Sequence, residues 1–170
     1  MAGQLVQVAT NTVTSAVASV TLTGIDSDDV YMLAFNNVVP VTNSVDLFCR
    51  VTESGTANST ANYDYAVKLM RTASSFLNIN NTNNTVFDLG NNIPNTNGST
   101  NGIMMIYNAN NSSEYTFITT EFAEFNSSPE LTSWTGGGVF TSSSSVNGLH
   151  LFFDSSSNIA SGTFTLYKVV

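Results

Sequence analysis

The chain has 170 residues, the size of one compact domain, and its 42% hydrophobic and 11% aromatic content can fill a sizeable core. Only 9% of its residues are charged, against about 25% in ordinary soluble chains, so solubility rests on Asn, Ser and Thr. The net charge of −8 and the four basic residues Arg50, Lys68, Arg71 and Lys168 exclude direct binding to a nucleic-acid backbone, which needs many Lys and Arg contacts, and disfavour an anionic membrane surface.

Met1-Ala2-Gly3-Gln4-Leu5-Val6 has neither a basic region nor a long apolar run, so no signal peptide is expected, and residues 1–10 read as an N-terminal arm. No apolar run approaches the ~20 residues of a membrane helix. From there the dominant period is two. Val20-Thr21-Leu22-Thr23 alternates; Val30 to Phe35 is a nearly continuous apolar run; Val45 to Val51, Tyr63 to Met70 and Thr85 to Leu89 follow. Ile103 to Tyr107, Tyr115 to Thr119, Leu149 to Phe153 and Thr163 to Val169 complete the series. Each segment is short, rich in β-branched and aromatic residues, and bounded by Gly, Asn, Ser or Asp. Ser54-Gly55, Asn97-Gly98, Asn101-Gly102, Asn147-Gly148 and Ser161-Gly162 supply residues suited to tight turns. Pro40 cannot donate to a ladder and belongs at a strand end or an edge. The Asn-rich runs Asn78–Asn84 and Asn91–Asn101 read as long loops, and short helices at Ser74–Leu77 or Glu121–Phe125 are the only helical alternatives. Roughly ten strands at regular spacing predict one all-β domain over 1–170, an antiparallel two-sheet sandwich of jelly-roll type.

Chemistry-bearing residues are scarce. The single Cys49 allows no intrachain disulfide and shares a strand face with Val45, Leu47 and Val51, as a small buried hydrophobe would. The single histidine, His150, lies between Leu149 and Leu151 and faces away from them beside Phe152; without a cysteine or second histidine beside it a zinc site is not expected. Glu121 and Glu124 point to opposite faces if their segment is a strand. Asp26-Ser27-Asp28-Asp29 offers hard-cation ligands but lacks the glycine and distant glutamate of an EF-hand loop, so it reads as a polar turn. Gly136-Gly137-Gly138 is followed by no lysine and reads as a flexible bend rather than a phosphate cradle. The glycosylation-like sequons at Asn58, Asn83, Asn97 and Asn126 are discounted in so Asn- and Ser-rich a chain. Trp134, near Pro129 and the glycines, reads either as core filler or as a loop aromatic that stacks on a sugar or anchors an interface. No catalytic residue, cofactor or metal ligand is assigned.

Two stretches carry a family likeness. One runs from Asp29-Val30-Tyr31-Met32-Leu33-Ala34-Phe35 through Val39-Pro40 to Leu47-Phe48-Cys49-Arg50-Val51 and Tyr63-Asp64-Tyr65. The other is Gly148-Leu149-His150-Leu151-Phe152-Phe153 followed by Asn158-Ile159-Ala160-Ser161-Gly162-Thr163-Phe164-Thr165-Leu166-Tyr167. Together they resemble a family of tailed-bacteriophage virion proteins, although Lys168 stands where members commonly have glycine. The resemblance implies a β-sandwich serving as a capsid decoration, fibre or tail component, with no catalytic residues. The expectation is therefore a non-enzymatic virion protein, assembled in the bacterial host cytoplasm, that cements the major capsid protein lattice as a homo-oligomer, with a trimer favoured. The alternatives are a tail fibre or appendage subunit and a carbohydrate-binding adhesion module using Trp134, Tyr107 or Tyr115.

Overall fold

The structure is a computed structural model that describes residues 3–73 and 76–170. Among them there are thirteen strands, numbered along the chain, and no helix. The larger sheet has eight strands: β1 (Leu5–Val13), β13 (Ile159–Val169), β3 (Tyr31–Pro40), β9 (Thr100–Tyr107), β10 (Thr116–Phe125), β11 (Leu131–Phe140), β6 (Tyr63–Arg71) and β7 (Leu77–Asn84), in that spatial order. The smaller has β2 (Ser19–Thr23), β12 (Val146–Phe153), β4 (Leu47–Glu53) and β5 (Thr56–Ala57), with β8 (Phe87–Asp88) also pairing with β4. The first four strands alternate between the sheets, and the last two return in the same way. β12 slots between β2 and β4, and β13 between β1 and β3. That interleaving is the double Greek key of a jelly roll; β10, β11, β6 and β7 widen the larger sheet beyond it.

Period-two alternation places the core. Leu33 and Phe35 of β3 and Phe164 and Leu166 of β13 face Leu149 and Leu151 of β12, and all six are buried. Toward β6, Tyr63 packs edge-on against Phe87 with ring centroids 4.9 Å apart and lies 4.9 Å from Phe140. Its hydroxyl donates to the Asn58 carbonyl at 2.7 Å and accepts from the Val51 N–H at 3.2 Å, so this deeply placed polar group is satisfied. Pro40 ends β3, as its missing donor requires.

Several expectations are corrected. Of residues 1–10, expected as an arm, Leu5 onward instead form β1, which completes the edge of β13 (Leu5 opposite Val169, Val13 opposite Gly162), while Met1 and Ala2 lie outside the described residues. Asn78–Asn84 is not a loop. It lies in β7, bonded along β6, and its polar faces fit a strand that closes a sheet edge, with Ile79 packed against the core. Glu121–Phe125 belongs to β10, and Leu77 opens β7, while Ser74 and Ser75 lie outside the described residues. Ser54-Gly55 does make the tight turn between β4 and β5, with φ of 51° and 79°. Asn101-Gly102 and Asn147-Gly148, in contrast, lie inside β9 and β12. There the missing side chain matters: a Cβ on Gly102 would stand 2.2 Å from the Phe122 Cβ.

The glycine run is likewise not a bend. Gly136, Gly137 and Gly138 sit in the middle of β11, paired with β10 on one side and β6 on the other. A Cβ on Gly136 would meet the Ala66 carbonyl oxygen at 2.3 Å and the Val67 Cα at 2.6 Å, neither of which can swing aside. Gly136→Ala is therefore expected to lower unfolding free energy by about 1–3 kcal/mol, the usual cost of overpacking. Urea denaturation reads this as a lower midpoint, and an unchanged midpoint would contradict the close approach.

Candidate interaction surfaces

The candidates read from sequence do not come together. His150 sits on the outer face of the smaller sheet, its Nδ1 2.8 Å from the Thr21 hydroxyl and its ring 5.5 Å from Phe152. Arg50 lies over the same Phe152 ring at 4.7 Å. Partial burial, and then the Arg50 charge, hold the imidazole below its ordinary pKa. Cys49 is fully buried on the face shared with Leu47 and Val51. Burial pushes its thiol up to about 12, so it is not an active nucleophile at neutral pH.

Asp26 to Asp29 form a braced turn. The Tyr31 hydroxyl donates to Asp26 at 2.9 Å, Ser27 donates to Asp29 at 2.7 Å, and Asn111 donates to Asp28 at 3.0 Å. Lys168 lies 2.7 Å from Asp29, tying the start of β3 to the end of β13 and holding the Asp29 carboxyl below its usual range. Among the described residues no three His, Cys, Asp or Glu side chains converge in a way that could hold a metal ion.

Trp134 is not a loop aromatic. It lies within β11, buried, stacked on Phe122 at 5.3 Å, with its indole N–H donating to Glu124 at 3.1 Å. A sugar cannot reach it. Tyr115, just before β10, is exposed, and Tyr107 ends β9 half-buried. Asn126 is buried, with its amide nitrogen donating to Glu130, so that sequon cannot take a glycan in the folded chain.

Sequence reading assigned no role to the buried acids. Glu124 faces inward from β10, where one carboxylate oxygen accepts from the Thr132 hydroxyl at 3.0 Å, the Trp134 indole at 3.1 Å and the Asn91 N–H at 3.1 Å. Its other oxygen is buried without a partner. Burial pushes this carboxyl up to about 7. Asp88, also largely buried, is pushed up to about 7 by the same cause, with Asp46 and Asp154 adding like charge. These acids secure the loop after β8: Asp88 accepts from the Gly90 N–H at 3.2 Å and Asp46 from the Asn92 N–H at 2.8 Å. The parity of Ile118, Thr120, Phe122 and Glu124 carries the signal, but Phe117 and Phe125 on the opposite parity hide which face is inner.

The other notable surface is the outer side of the larger sheet. An antiparallel sheet with one face on a core normally turns polar side chains outward. Here β3 presents Met32 and Ala34, β9 presents Ile103 and Met105, and β10 presents Phe117, which is 47% exposed. Asp64, Glu121 and Lys68 are the charged side chains on this face, as strand parity and register place them. Beside Gly137 lies an open hollow of about 360 Å³ floored by Ala66, Val139 and the glycines and edged by Asp64 and the amides of β7. In outline this is a jelly-roll sandwich with a sparsely charged, partly apolar flank. No protein-family model matches the chain, and no curated protein sequence matches it.

Two outcomes follow. Cys49 should resist thiol reagents in the native protein and react fully after denaturation; rapid native labelling would contradict its burial. Folded Glu124 binds its proton more tightly than the unfolded chain does, so its stabilising effect is present at low pH and is lost as pH rises through about 7. It should contribute about 3 kcal/mol between pH 5 and pH 8. Thermal unfolding should therefore show a higher midpoint near pH 5 than near pH 8, and Glu124→Gln should reduce that difference.

Proposed function

We propose that this chain is a non-enzymatic structural protein of a tailed-phage particle, a decoration protein that cements the lattice of the major capsid protein. The observation that carries the reading is the sparsely charged outer face of the eight-stranded sheet, where Ile103 and Phe117 are exposed and Met32 is half-exposed within the chain. A broad flank of this kind suits contact with other proteins, and a lattice multiplies weak individual contacts. The likeness of the Asn158–Tyr167 ending and the Tyr31–Pro40 block to phage virion proteins points the same way. Burial of Trp134 removes one of the three aromatics offered for a glycan-binding module and leaves Tyr115 and half-buried Tyr107. A tail-appendage subunit would use the same flank and differ in its location on the particle.

Electron cryomicroscopy of virions carrying the chain tests this. Its density is expected over the head in lattice stoichiometry; density confined to the tail, or few copies per particle, would overturn the capsid assignment. Because the contacts are largely uncharged, attachment should persist in ~1 M NaCl, where the Debye length is about 3 Å. Release by moderate salt alone counts against it.

A further inference from the structure

We propose that two copies of the chain pair through the outer faces of their larger sheets, about a two-fold axis along β11 that sets Lys68 of each copy against Glu121 of the other. The first ground is charge. Of the four basic residues, Arg71 pairs with Glu130 at 3.4 Å and Lys168 with Asp29 at 2.7 Å. Arg50 lies over Phe152 and donates to the Thr85 carbonyl. Among the described residues Lys68 pairs with no carboxylate and Glu121 with no cation; Lys68 donates to the Asn78 amide oxygen at 3.0 Å and its ammonium lies 5.8 Å from the centre of the Phe76 ring.

Register then fixes the geometry. Glu121 and Lys68 both lie opposite Thr135, one from β10 and the other from β6. They occupy one row on either side of β11, about 10 Å apart, too far to pair within one chain. Rotation about an axis along β11 exchanges the positions of β10 and β6. It therefore lays each Lys68 over the other copy's Glu121, twice, as an isologous interface requires. The same rotation lays Phe117 of one copy over Asp64 of the other, since both lie opposite Val139, beside the hollow that each copy's own Phe117 already helps to wall.

Net charge and area agree with this. The chain carries −8 overall, yet this face contributes only Asp64, Glu121 and Lys68, so two acidic copies meet here with little like charge to bring together. The five strands β9, β10, β11, β6 and β7 cover a footprint of roughly 24 by 27 Å. With side-chain relief added, that approaches the about 800 Å² per partner of a standard stable interface. The pairing does not rest on the phage reading and departs from the trimer expected of a decoration protein; because it covers Ile103 and Phe117, a capsid contact made by a paired chain would fall on the β3 side of the face, around Met32 and Ala34.

Sedimentation equilibrium of the purified full chain in ~0.1 M salt tests it, with the Debye length near 10 Å. The wild type should be a dimer. Lys68→Glu, which would gather four carboxylates at the axis, should weaken association at least about 10-fold, and Glu121→Lys should do likewise. The double exchange, Lys68→Glu with Glu121→Lys, should restore the dimer. Both positions lie on the outer surface, so each variant should keep the wild-type circular dichroism; Phe117→Ser provides a charge-independent variant that should also dissociate. A wild-type monomer or trimer, a single reversal without effect, or a double exchange that fails to restore pairing overturns the proposal.

Discussion

The insertion of β13 between β1 and β3, and of β12 between β2 and β4, is the constraint on which the rest of the molecule depends. Each inserted strand satisfies its backbone groups on both sides and turns one row of side chains inward. Phe164 and Leu166 come from one sheet, Leu149 and Leu151 from the other. Without these two strands, β1 and β2 would be stranded apart from β3 and β4, and the sheets could not be held face to face. The pairings join residues more than ninety positions apart, so this closure carries a loop-closure cost that local structure cannot offset early in folding. The brace from Lys168 to Asp29 and Ser27 locks the same junction from outside.

Much of the architecture was readable from the chain because alternation dictates it. The strands around Leu33, Cys49, Val67, Ile106, Leu151 and Leu166 are marked by inward apolar residues at every second place. The reading failed where side chains do not report the backbone. β7 is almost all Asn and Thr because it closes an edge and has little to bury, so composition made it look like a loop. Gly136 to Gly138 have no side chains with which to signal a strand, and the crowding by Ala66, Ile118 and Asp64 that requires glycine there comes from neighbours distant in sequence. Trp134 was ambiguous because the bland residues around it gave no parity. The buried role of Glu124 was hidden because β10 carries apolar residues on both faces, so that the inward row could not be told from the outward one.

The scarcity of charge has two consequences within one molecule. Inside, Glu124 and Asp88 are held near neutrality by burial, and their acceptor oxygens fasten loop N–H groups at the edge of the core. Outside, the larger sheet shows water a surface of thioether, methyl, hydroxyl and amide groups. Such a surface relies little on Coulomb forces, so whatever contacts it are selected by shape and by the few charges present. In the proposed pairing Lys68 and Glu121 would act as registration marks on a plane that otherwise carries only the charge of Asp64.

The first and last strands run side by side. Gln4 and Val170 exchange backbone hydrogen bonds at 2.7 and 3.0 Å, and the β1–β13 ladder starts at that corner. Tension applied to both ends would open this ladder one rung at a time rather than shearing all its bonds together. Load applied at Gln4 and Val170 thus meets one pair of backbone bonds at a time, the weakest way to pull on a sheet.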